Sequence, residues 1–88
     1  MKIQGHVLDY SNTLSKGSIA IDLGMETFRF VFGNKQLHDS YKQVMEGDRV
    51  EFECAFNIGC KQRVVCFRLL TPIKLICRAE PVLLANAT

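Results

Sequence analysis

The chain has 88 residues, 48% hydrophobic and 23% charged, with eleven Lys and Arg against nine Asp and Glu for a net charge of +2. That length predicts one domain, and the composition excludes the low-hydrophobicity, high-charge signature of disorder. The small positive surplus neither demonstrates nor forbids a polyanionic partner. No apolar run approaches the ~18 residues of a membrane span, and Met1-Lys2-Ile3-Gln4-Gly5-His6 lacks the apolar centre of a signal peptide. The expectation is a cytoplasmic protein with no membrane partner.

Ile3 to Tyr10 reads as a first strand, and Ser11 to Gly17 as a loop of turn formers. Ser18 to Leu23 is a second strand, with Ile19, Ile21 and Leu23 on one face and Ser18, Ala20 and Asp22 on the other. Gly24-Met25-Glu26 turns the chain into a third strand, Thr27 to Phe32, where Phe28, Phe30 and Phe32 alternate with Arg29 and Val31. So short a turn predicts an antiparallel hairpin.

Gly33 to Met45 is a longer connection, in which Leu37, Tyr41, Val44 and Met45 recur at helical steps and predict a short helical turn. Glu46-Gly47-Asp48 leads into a fourth strand, Val50 to Phe56, with Val50, Phe52, Cys54 and Phe56 on one face. After a hairpin loop at Asn57-Ile58-Gly59-Cys60 comes a fifth strand, Gln62 to Leu70, apolar on both faces at Val64-Val65-Cys66-Phe67 and so ambiguous in phase. Thr71-Pro72 stops it, and residues 71–88 form an unusually apolar C-terminal extension. Five short strands with glycine-rich turns predict an all-β, small antiparallel barrel over residues 1–70, since closure removes exposed edges.

Cys54, Cys60, Cys66 and Cys77 contain no Cys-x-x-Cys step, which argues against a zinc site. A loop centred near Cys60 would set Cys54 opposite Cys66, which a reducing compartment would leave as two core thiols. His6 and His38 stand apart from any acidic or cysteine partner at ligand spacing and read as surface histidines. No phosphate loop, catalytic triad or paired carboxylate stands out, so neither catalysis nor a cofactor or metal is expected.

Gly5-His6-Val7, Lys16-Gly17 with Ile21, Phe28-Arg29-Phe30-Val31-Phe32 and Gly47-Asp48-Arg49-Val50-Glu51-Phe52-Glu53, in that order and spacing, resemble the cold-shock domain over Gly5 to Leu70. The resemblance implies a five-stranded OB-fold barrel that binds single-stranded RNA or DNA, RNA foremost. In that family exposed aromatics stack on bases, each worth roughly 1–3 kcal/mol, and basic residues hold the backbone. The family's first-strand Trp-Phe pair falls on Asp9 and Tyr10, and its two second-strand phenylalanines fall on Ser18 and Ala20. The third-strand Phe and His fall on Arg29 and Val31, and the last Phe on Phe32. By this resemblance Tyr10, Arg29 and Phe32 would stack and Lys16 would hold phosphate, a weakened version of the family's surface. Alternation alone assigns Phe32 to the core face with Phe28 and Phe30.

The competing function is a protein-interaction or self-association module, in which the apolar extension, residues 73–84, meets a second copy or another protein. A simpler role for that segment is to cover the open edge of its own barrel.

Overall fold

Strands β1 (Lys2–Ser11), β2 (Lys16–Asp22) and β3 (Thr27–Gly33) form an antiparallel meander. A 3-10 turn at Asn34–Gln36 follows, then β4 (Arg49–Ile58), a tight turn at Cys60–Gln62, β5 (Val64–Leu69) and β6 (Lys74–Cys77). This computed structural model describes residues 2–23, 26–38 and 44–79. The all-β barrel expected from the sequence is present. Its helical turn is the 3-10 turn at Asn34–Gln36, just upstream of the Leu37–Met45 pattern. Tyr41 of that pattern, Gly24 and Met25 of the first hairpin turn, and residues 80–84 of the extension lie outside the described residues.

The strands follow the order β3-β2-β1-β4-β5, with β6 also on β4. Alternation decides what faces inward. Val7, Ile19, Ile21, Phe32, Val50, Phe52 and Cys54 are buried together, and Phe28, Phe30, Phe67 and Leu69 pack against them. Burial raises the pKa of the Cys54 thiol above its ordinary value, because low-dielectric surroundings disfavour the thiolate.

The barrel closes in two ways. Between β3 and β5 the seam is filled by rings, with Phe67 at 5.0 Å from Phe28 and 4.6 Å from Phe30. Further along it is hydrogen-bonded: Ile73 N–H donates to Gln36 O (2.8 Å), His38 N–H donates to Ile73 O (2.9 Å), and Leu37 and Ile73 form a parallel bridge.

The second hairpin departs from expectation. β4 runs on to Ile58, and Lys61 and Gln62 make the turn in the left-handed region, at φ 60° and 61°. The ladder slips between Ala55 and Asn57, so Cys54 pairs with Leu69 rather than facing Cys66. Cys66 sits at φ 56° and is exposed while Cys54 is buried; none of the four cysteines forms a disulfide. This bulge answers the ambiguous phase of β5. One extra residue switches the inward set, so that Phe67 and Leu69 reach the core while Val65 stays 40% exposed.

The apolar extension is built into the barrel as far as it is described. β1 occupies one edge of β4 at residues 49–53, and β6 takes the other through the pairs Arg49↔Cys77, Val50↔Leu75 and Glu51↔Lys74. β5 and β6 are therefore one line along β4, interrupted at Thr71-Pro72. At the break Leu70 N–H donates to Glu53 O (2.8 Å), and Glu53 N–H donates to the Thr71 hydroxyl (2.9 Å) in place of a ladder carbonyl. Ile73 is completely buried. The unit extends beyond residue 70, and the edge-covering role is the one seen for residues 73–79.

Candidate functional site

Directly opposed residues in antiparallel strands project to the same face. With Ile19 against Phe30 and Ile21 against Phe28 facing inward, the pairs Ser18↔Val31, Ala20↔Arg29 and Lys16↔Gly33 face outward. Ser18 and Ala20, where the cold-shock resemblance puts stacking rings, thus lie on the outer face. Ser18 offers a hydroxyl there, and Ala20, 1% exposed, offers almost no surface.

The four residues expected to bind do not come together. Lys16 and Arg29 are exposed on the outer face. Tyr10 and Phe32 are turned inward and stack on each other, ring centroids 5.9 Å apart. Phe32 is only 1% exposed and belongs to the core, and Tyr10 is half-buried against it. Phe32 therefore offers no ring to a base, which corrects its expected role. The cause is the strict alternation that puts Phe32 in phase with Phe28 and Phe30. A bulge in β1 between Val7 and Asp9 does the same for Tyr10, shifting it into the register position opposite Gly17. An added Cβ at Gly17 would lie 3.0 Å from the Tyr10 ring and 3.1 Å from the Phe32 ring.

What the outer face does assemble is a row across four strands. Arg29 on β3 opposes Ala20 on β2, Ala20 opposes His6 on β1, and His6 opposes Arg49 on β4. Neighbouring strands are spaced by ~4.8 Å, so Arg29 and Arg49 are about 14 Å apart along the row. Ala20, 1% exposed yet outside the core cluster, is its low point. Among the described residues the ion pairs are Lys2–Glu51 at 3.9 Å and Arg78–Asp48 at 3.2 Å, so Lys16, Arg29 and Arg49 carry no acidic partner. The acids of this face stand to either side of the row. Asp9 is opposite Ser18; Asp22 is opposite Thr27 and accepts its hydroxyl hydrogen bond at 3.3 Å; Glu51 and Glu53 follow Arg49 on β4, opposite Gln4 and Lys2.

At the β4 end of the row a pocket of ≈ 350 Å³ is lined by Gln4, Gly5, His6, Gly47 and Arg49. Gly5 is required there by close packing, since a Cβ would come within 2.7 Å of Ala20 O. Gly47 is required by its backbone, at φ 90°. The turn carrying Gly47 is tied to β1 by Gly47 N–H donating to Val7 O (2.7 Å) and Val7 N–H donating to Asp48 O (2.8 Å). The fully buried Asp48 carboxylate accepts from Met45 N–H (2.9 Å), Ala79 N–H (2.8 Å) and the Arg78 guanidinium (3.2 Å). That single side chain joins the turn before β4 to the segment after β6.

His6 and Arg49 were not candidates on sequence grounds, because nothing local marks residues so far apart in sequence as neighbours. The signal present was the inward alternation of Gly5 and Val50, which pair with each other and push His6 and Arg49 outward together. Among the described residues no helix is long and apolar enough to cross a membrane, and no group of three or more His, Cys, Asp or Glu is placed to hold a metal ion. No protein-family model matches the chain, and no curated protein matches its sequence.

Proposed function

We infer that this protein is a single-stranded nucleic-acid-binding barrel of the OB type, cold-shock-like in its strand order, with RNA the first expected ligand. The observation that carries the reading is the Arg29–Ala20–His6–Arg49 row, a cationic track running across the strands of a small barrel. OB-type barrels bind oligonucleotides on the corresponding sheet face. A guanidinium can pair with phosphate or lie flat on a base, so Arg29 and Arg49 serve where rings are missing. Lys16 adds a phosphate contact about 13 Å along β2 from the row. With Ser18 and Ala20 in the stacking positions and Tyr10 and Phe32 turned inward, binding rests on charge more than on stacking.

Such binding weakens steeply with salt. For a single strand, log K falls by roughly 0.7 per phosphate neutralised for each unit of log salt, so the three cations Lys16, Arg29 and Arg49 give a slope near −2. Fluorescence anisotropy with labelled single-stranded RNA and DNA tests this. The expected result is a slope near −2 that becomes shallower by about 0.7 in Arg29→Ala. No anisotropy change at low salt would refute the reading. The competing interaction-module reading loses support from residues 73–79, whose edge and core contacts are already used within the barrel.

A further inference from the structure

We propose that the pocket between β1 and β4 binds a terminal phosphomonoester, the phosphate-bearing end of the strand lying on the row. This rests on the nucleic-acid reading above and names the group that ends the track. His6 and Arg49 are directly opposed cross-strand neighbours on an outer face, which sets an imidazole and a guanidinium side by side as N–H donors to an anion. Among the described residues neither side chain has an ion-pair partner. The one buried carboxylate nearby, Asp48, is not in the lining and is already occupied by two backbone N–H groups and Arg78.

The shape of the site favours an end over a passing backbone. The charged stretch of the row ends at Arg49, whose neighbour on β6 is Cys77, and the Gly47 turn, two residues before Arg49, stands as a wall beside it. Ala79 is packed close behind it: a Cβ on Gly47 would lie 3.1 Å from the Ala79 Cβ. That wall is pinned to β1 and to the C-terminal segment through Asp48, so it is preorganised rather than assembled on binding. A phosphodiester carries one negative charge, whereas a monoester carries about −1.5 to −2 near neutral pH, a better match to a guanidinium beside an imidazole. The volume of ≈ 350 Å³ falls within the range of small-molecule sites, about 300–1,000 Å³, and leaves room for the terminal nucleotide as well as its phosphate. Gln4 in the lining adds an amide that can donate to a phosphate oxygen.

The test compares one labelled single-stranded oligonucleotide in three forms: hydroxyl-ended, 5′-phosphorylated and 3′-phosphorylated. The expected result is ~10-fold tighter binding of one phosphorylated form, identifying which end is held. That gap closes in Arg49→Ala and narrows in His6→Gln, while Arg29→Ala weakens all three forms alike. Equal affinity for the three forms would overturn the pocket proposal and leave the nucleic-acid reading standing. If no form binds, the nucleic-acid reading fails, and titration with adenosine monophosphate decides the pocket separately. NMR shifts confined to Gln4, His6, Gly47 and Arg49 would uphold it, and their absence would overturn it.

Discussion

Gly17 shows how one missing side chain decides what a surface can do. A Cβ there would meet Asp9 O at 2.3 Å as well as the Tyr10 and Phe32 rings, and the first contact is with backbone that cannot step aside. Gly17→Ala is expected to destabilise the barrel by about 1–3 kcal/mol in urea denaturation. Gly33→Ala, whose Cβ would find its nearest neighbour 3.9 Å away, should leave stability within about 0.5 kcal/mol. Ser18 is the opposite case, an outward position where the cold-shock resemblance would place a ring. Ser18→Phe should leave the core untouched and restore one stacking platform beside Val31, which is 68% exposed. One platform is worth about 1–3 kcal/mol, roughly 5- to 150-fold in oligonucleotide affinity. An unchanged anisotropy titration would mean that no base passes over this part of the sheet.

Among the elements, the strand that follows Pro72 contributes more than its four residues suggest. β5 alone cannot cover the second edge of β4, because the ladder breaks at Thr71-Pro72, and β6 resumes it against Arg49–Glu51. Asp48 then secures the far end. Asp48→Ala leaves the N–H groups of Met45 and Ala79 without the acceptor they use, at about 1–3 kcal/mol for each group that stays buried. The expected loss is about 3 kcal/mol by chemical denaturation. Arg78→Ala, by contrast, should cost less than about 1 kcal/mol, because its side chain is 53% exposed and water replaces the pair. Equal losses in the two variants would show that the ion pair, and not the backbone acceptor, holds the segment.

Over the whole molecule, the described chain is a single folding unit through residue 79. Deleting residues 73–88 removes Ile73 from the core, all of β6 and both hydrogen bonds that close the barrel against Gln36 and His38. Loss of a buried Ile side chain alone costs about 2–5 kcal/mol, a large part of the stability of so small a domain. The truncated chain should therefore lose its cooperative thermal transition. A truncated chain that still folds and is monomeric where the full chain is dimeric would instead favour the self-association reading. The legibility of the sequence followed the range of the interactions. Strands β2 and β3 were readable because their alternation and the short turn between them are local. The slip at Cys66, the inward turn of Tyr10 and the resumption of the ladder after Pro72 were not, because each depends on a partner strand.

The sequence by itself determined the all-β class, the inward set Ile19, Ile21, Phe28 and Phe30, and the outward placement of Ser18, Ala20 and Arg29. Alternation with period two follows from the backbone of an isolated strand and needs no partner. Only the tertiary structure decided that Phe32 and Tyr10 face each other across Gly17, and that His6 and Arg49 continue the line begun by Arg29. Which residues share a row depends on register between strands, and register is set by bulges and core packing across the whole barrel.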